Sequence, residues 1–547
     1  MTHRAEQFQA ALVLGPAPLV AFLLVVCVSV LLYLMYGADS DGTTDVYVAG
    51  RSMRPVTNAL ALAGDYITVI TLLTVTGTVA LAGFDGMTLA AGGVVAVGVL
   101  LLLAQPLHHI GGFTLGDTWQ ARFPGAATRI AGTVTTLCFC LPLIVVQLVV
   151  AGAAVAHLMG LSDLGPAAQV CTAFIGVIMI CAASLSGMRG NSVLQVIKTV
   201  VLLIAMTVLV GQVLDEFGWN PNRLLVAAAD NSVDPARFYE GGLLGGDGAT
   251  GTLSRLSMHV TVILGAAVAP HMLMRLKSSD RGASARRTVT YTAAVVSVFF
   301  ALTIVLGLGA TAIVGAEGIG AADPEGMAAL PVLALQLAAD GSSGGLILAL
   351  TVSMIFLTSL TVVAALTLSS AASLAHDLFA PRVVRGRSAT AEIRVMRWSA
   401  AAVGALAVVI AVGFQGRNVG FLAQFSLAAA ASAILPALVL QLFWSGCTRT
   451  GMLWSVYGGL ACCVLLQLFG PAVSGQPSSA IPGADIAWFP LEATGLVSVP
   501  VGFLLGWAAS RVSPSPAARS AYGELDRRVL TGSAGASRDE RGPSVPR

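Results

Sequence analysis

The stretch PVTNALALAGDYITVITLLTVTGTVALAG, residues 55–83, carries one charged side chain, Asp65. Everything else in it is apolar or weakly polar. The run is long enough to cross a bilayer, which takes about 20 residues. A carboxylate at that depth costs roughly 2.5–3.5 kcal/mol on insertion scales. Such a group persists where it faces a water-filled path, an ion or a proton donor. Gly64 beside it weakens the helix, so backbone carbonyls can turn toward a ligand there. The competing reading is a loop between two short helices. It conflicts with an apolar run that continues on both sides of Asp65.

The whole chain repeats this character. Of its 547 residues 56% are hydrophobic and only 10% charged, and the mean hydropathy is +0.85. No ordinary soluble domain has that composition. A net charge of +2 gives no reason to expect nucleic acid as a partner. The 8 cysteines show neither a metal-ligand spacing nor a disulfide framework. There is no phosphate-binding loop, nucleophile–base arrangement or zinc motif. An enzyme or an ATP-driven pump is therefore not expected, nor any cofactor.

Membrane-length segments fall near 12–36, 55–82, 87–107, 129–158, 166–186, 191–214, 254–274, 288–314, 344–377, 398–415, 418–443, 452–470 and 491–510, thirteen in all. With the N-terminus outside, the inner loops hold Arg51, Arg54, Arg122, Arg189, Lys277, Arg281 and the arginines of 382–397. The outer loop 316–343 is acidic. That alternation is the positive-inside rule, and it places the C-terminus in the cytoplasm of a bacterial cell. The tail 511–547 is rich in Ser, Gly, Pro and Arg and is expected to be disordered.

The second and seventh segments run in opposite directions and both contain helix breakers. One has Gly64 beside Asp65; the other has Gly265 and Pro270. Interrupted helices at matching positions of two inverted halves point to a transporter's central site. The expected organisation is an N-terminal helix and inner loop (1–54), a first five-helix repeat (55–214), an outer loop (215–253) and a second repeat (254–443). Two C-terminal helices (444–510) and the tail follow.

At this point several stretches carry a resemblance. They are YVAGRSMRP (47–55), LAGDYIT (62–68), GFDG (83–86), GGFTLGDTWQARF (111–123), VLQVIKTVVLL (193–203), PHMLMRLKSSD (270–280) and SLAHDLFA (373–380). In this order they are similar to the sodium/solute symporter family, and within it to the cation/acetate (monocarboxylate) symporters. The resemblance implies an all-α membrane protein with a five-plus-five inverted repeat of the leucine-transporter type. One helix precedes the repeat and two follow it, which equals thirteen. It also implies a cation site between the second and ninth segments. Its ligands would be the carbonyls of Ala63, Tyr66 and Thr358 and the hydroxyl of Thr361, with Asp65 close by. Val362 departs from the sodium-driven pattern, which has a second hydroxyl there. Protons thus stand beside Na⁺ as the coupling ion, and a desolvated Asp65 could carry one. The other role for Thr361 is a bond to a carbonyl of its own helix.

For the substrate, half-helix N-termini suit a carboxylate. Thr68, Thr71 and Gln147 can donate or accept hydrogen bonds. Gly64, Val262, Gly265 and Ala266 leave room close to the backbone. Such a pocket fits acetate, propionate or pyruvate. Gln147 could equally bond helix to helix. Pro270 marks the second break, and His271 takes a structural or gating role. Asp377, at a helix C-terminus, should pair with an arginine of the 382–397 loop. Lys198 should snorkel to the inner surface. The function read from this is a secondary active symporter moving a small monocarboxylate with Na⁺ or H⁺ across a lipid bilayer, with no obligate protein partner. The nearest alternative is a symporter for proline or another small zwitterion. From other classes come a passive channel and a solute receptor, which would normally bring a signalling domain.

Overall fold

The computed structural model describes residues 42–158, 166–185, 187–246, 248–339, 344–380, 389–475, 479, 481 and 483–532. Among them, 11 helices are long and apolar enough to cross a membrane, and up to 12 spans result if one bent pair is a single span. The segment expected at 12–36 lies outside the described residues. No strand is present among those described beyond two isolated bridges.

The first span is the bent pair, α1 (Pro55–Tyr66) and α2 (Val69–Ala82), at 64° to each other. Then come α3 (Phe84–Ile110), the short α4 (Leu115–Gln120), α5 (Ala126–Leu158), α6 (Ala167–Leu185) and α7 (Met188–Glu216). The second half repeats the pattern. Another interrupted span, α8 (Gly248–Ala267) and α9 (Pro270–Leu276), precedes α10 (Gly282–Val314), α11 (Gly344–Ala372) and α12 (Ala389–Phe414). α13 (Gly420–Phe443) completes that half. Two more helices follow, α14 (Arg449–Leu468) and α15 (Gly495–Val512). Burial sorts them: 89% of the best apolar window at α11 is inside the protein, against 33% at α15. α11 is thus central, and α15 is peripheral.

Both breaks have local causes. Ile67 and Thr68 are extended, so α1 ends at Tyr66. Thr68 then caps α2 by accepting from the Thr71 N–H, and Gln147 Oε1 accepts from the Val69 N–H at 3.3 Å. Two orphan donors of the half-helix are satisfied this way. The break therefore lies beyond Gly64 and Asp65, where the sequence suggested it. Gly64 is helical, and a Cβ there would stand 2.6 Å from Gln195 Oε1 and 2.8 Å from Thr199 Oγ1. It serves the close approach of α7. In the second span Pro270 starts α9, having no N–H to lose and a φ already suited to a first turn. Gly265 lies inside α8, where a Cβ would meet the Leu427 carbonyl of α13 at 2.2 Å.

The tail departs from expectation. Residues Pro516–Thr531 form a helix, α16, capped by Ser515. It docks on the core: His109 Nδ1 lies 2.6 Å from the Val529 carbonyl, and Tyr522 lies over Arg122. Composition suggested disorder, but Leu525 is buried and supplies an apolar anchor.

Candidate functional site

At the end of α1, buried charges meet. Asp65 is 1% exposed and Arg275, on α9, is fully buried. The guanidinium grips the carboxylate with two N–H groups, Nε to Oδ2 and Nη2 to Oδ1. Its Nη1 donates to Ser192 Oγ of α7 at 2.7 Å. This bidentate pair ties the two broken spans together across the break. Asp65 Oδ1 also accepts from Gln195 Nε2 at 2.8 Å, and the same amide donates to the Thr361 carbonyl of α11 at 3.0 Å. Lys198 completes the group. Its ammonium donates to the Gly64 carbonyl at 2.6 Å and to the Ile67 carbonyl.

One sequence expectation changes here. Lys198 does not snorkel; it is fully buried on the carbonyls of the break. Arg275 is a further buried charge. Arg275 stands just beyond the expected end of its segment at 274, among residues assigned to an inner loop. Gln195 and Ser192 gave no signal, because polar groups on a membrane helix pair in many ways.

Several of the residues expected to bind a cation also make bonds within the protein. The Ala63 carbonyl accepts from the Ile67 N–H at 2.8 Å. Tyr66 donates its hydroxyl to the Gly93 carbonyl at 2.6 Å. Thr361 donates to its own helix, at Leu357 and Thr358. Thr358 Oγ1, Ser359 Oγ and Gln195 Oε1 are buried with no hydrogen-bond partner among the described residues.

A cavity of about 130 Å³ opens beside the two breaks. That is well below the roughly 300–1,000 Å³ of drug-sized sites, so only a small solute fits. Asp65, Tyr66, Thr68, Thr71, Val262, Ala266 and His271 line it, together with apolar groups such as Phe139, Met272 and Phe300. Gly64, Gly265 and Gln147, expected to contact substrate, are not among its lining residues; they pack helices or cap α2. His271 lines this cavity. Its ring stacks on Phe139 with centroids 5.7 Å apart, and Nε2 lies 3.4 Å from the Asp65 carbonyl. Nδ1 is buried without a partner among the described residues.

A second polar cluster lies at the ends of α4 and α11. His376 lies between Glu392 (2.8 Å) and Asp117 (3.2 Å). Tyr47 donates to Glu392 at 3.1 Å. Asp377 accepts from Thr114 at 2.8 Å; Arg382, Arg385 and Arg387 of the loop expected to supply its partner lie outside the described residues. Lys277 donates to the Thr114 carbonyl and the Thr118 hydroxyl, both at 2.8 Å. Burial, offset by Asp117 and Asp377, pushes the Lys277 ammonium down to about 8.

Comparison with known proteins follows the same lines. The model of the sodium:solute symporter family matches residues 46–459. A monocarboxylic acid transporter of Corynebacterium glutamicum is 33% identical over 523 residues, 93% of this chain and 94% of that protein. The uncharacterized symporter YwcA of Bacillus subtilis is 33% identical over 494 residues, 90% and 93% of the two chains. Among solved structures, a substrate-bound, outward-open Na⁺-coupled sialic acid symporter superposes with a TM-score of 0.67. That match covers 91% of this chain and 98% of the other at 13% identity, so the likeness is one of fold.

Proposed function

The chain belongs to the sodium:solute symporter family, and from that premise we propose that it moves a small monocarboxylate into the cell with a cation by alternating access. The observation that carries the reading is the small, apolar cavity at the two helix breaks. It has room for a solute of a few heavy atoms, such as acetate, propionate or pyruvate. The relative named a monocarboxylic acid transporter supports the same class.

The solute carboxylate meets His271 Nδ1 and the Thr68–Thr71 end of α2, whose helix dipole favours an anion. The methyl or acyl end lies against Phe139, Met272, Val262 and Ala266. A zwitterion such as proline fits less well. Its ammonium needs a free carboxylate, and the one carboxylate in the wall, Asp65, is already held by Arg275. The placement of arginines supports an outer N-terminus and an inner C-terminus.

The test is a competition panel. Purified protein in liposomes takes up labelled acetate, and unlabelled acetate, propionate, pyruvate and proline compete. Inhibition by the three acids and none by proline supports the reading. Inhibition by proline alone contradicts it.

A further inference from the structure

Lys198 sits one residue along from the place where the resemblance leads one to expect an inorganic cation, on the carbonyls of Gly64 and Ile67 where Ala63 and Tyr66 were expected to act. In a broken transmembrane helix, unwound carbonyls at the break coordinate the coupling ion. Here the carbonyls of Gly64 and Ile67, on either side of the last turn of α1, receive the Lys198 ammonium. Several of the oxygens around it also make bonds within the protein. The Ala63 carbonyl closes a backbone turn. The Thr361 hydroxyl turns back on α11, and the Thr361 carbonyl takes the Gln195 amide. Val362 brings no side-chain oxygen. Among the described residues the hydroxyls of Thr358 and Ser359 and the Oε1 of Gln195 are buried without a partner. A sodium ion at the Ala63 and Tyr66 carbonyls would lie next to the buried Lys198 ammonium, and like charges in a poorly screened site repel strongly.

We propose that Lys198 is a built-in cation at the helix break and that its protonation, in place of Na⁺ binding, couples transport to the proton gradient. The inference rests on the symporter reading above and names the ion for it. The step is simple in its balance. A proton entering from the outer side adds to the Nζ lone pair, giving the ammonium that grips Gly64 and Ile67. Loss of that proton to the inner side returns the neutral amine, and no other bond changes. A lysine suits this role because it gives up its proton readily when buried, whereas arginine does not. The charged groups acting on Lys198 are Asp65 and Arg275, which neutralise one another as a bidentate pair. The carbonyls of Gly64 and Ile67 hold the ammonium beside this pair, so its retention is sensitive to how the break opens.

Two measurements test this, one of them independent of any substrate. The first is ²²Na⁺ binding to the purified full chain. The wild type should show no saturable binding, and Lys198→Ala should gain it, because the two carbonyls are then free. Saturable Na⁺ binding by the wild type would overturn the proposal. The second is labelled acetate uptake in liposomes with either gradient imposed alone. An inward proton gradient in sodium-free buffer should drive uphill uptake. Lys198→Arg keeps a cation at the break that cannot cycle a proton. It should therefore retain acetate exchange and lose accumulation driven by the pH gradient. Wild-type accumulation that needs a sodium gradient, or Lys198→Arg accumulation equal to the wild type, would overturn the proposal. A wild type that moves no monocarboxylate would defeat the substrate reading instead, and the Na⁺-binding result would still decide on Lys198.

Discussion

Asp65 and Arg275 are each buried, and each depends on the other. Removing one partner of a buried ion pair strands the remaining charge at a cost of about 3–5 kcal/mol. Asp65→Asn should therefore lower the melting temperature of the purified protein sharply, beyond any effect on transport. Asp65→Asn combined with Arg275→Met should recover much of the loss, because no lone charge remains. A single variant as stable as the wild type would show that the pair contributes nothing. Lys277 offers a pH signature. Its ordinary value is 10.5, and burial brings it to about 8 in the fold. Between those values the unfolded chain binds more protons, so stability should rise as pH climbs from about 8 toward 10.5. Lys277→Met should flatten that rise. A flat profile of melting temperature across the interval, the same in wild type and variant, would show that the lysine is well solvated instead. At this scale the sequence is partly readable. Asp65 announces itself, because a carboxylate in an apolar run needs a polar partner or a wet path to be there at all. Its partner does not. Arg275 sits where a helix end and an inner loop cannot be told apart, and a long side chain there usually reaches water. His271 is legible as a histidine beside a break, but the orientation of its free nitrogen is a matter of packing.

The broken helices act as elements, and their glycines show why position alone misleads. Gly64 and Gly265 flank the breaks in sequence, yet each is helical and faces a neighbouring helix across a gap too small for a Cβ. Gly265→Val should therefore separate α8 from α13 and lower stability while Asp65 and Arg275 remain intact. Thermal unfolding checks this, and an unchanged curve would mean that the two helices can part freely. Ala266 is different, because it lines the cavity. Ala266→Phe should leave folding intact and abolish uptake of pyruvate and propionate before that of acetate. Unchanged relative rates for the three acids, at normal expression, would remove this face from the pocket. The existence of the interrupted spans is readable from Gly and Pro inside apolar runs. The site of the first break is not, because extended Ile67 and Thr68 are held by Thr68 itself and by Gln147 from α5.

Across the whole molecule, periodic apolar segments and their order specify the inverted repeat, because spanning a bilayer leaves helices as the way to satisfy the backbone. Composition is a poorer guide at the C-terminus, where docking of α16 overrides a polar, proline-containing sequence. Arg122 anchors this end. It donates to the carbonyls of Gln441 and Cys447 at 2.7 and 2.9 Å, and its guanidinium lies 4.8 Å from the Tyr522 ring centroid. Such a contact contributes about 0.5–2 kcal/mol. Tyr522→Ala should thus lower stability modestly and leave substrate preference unchanged. A shift in preference would connect the tail to the transport path. The claim that governs all of this is that the protein concentrates a short monocarboxylate using the free energy of a cation gradient. The direct measurement is the internal concentration of labelled acetate in liposomes containing the purified chain, followed as an ion gradient is imposed and then collapsed. A symporter should raise the internal concentration above the external one and release the excess when the gradient is abolished. Uptake that rises only to equality, whichever gradient is applied, would contradict it.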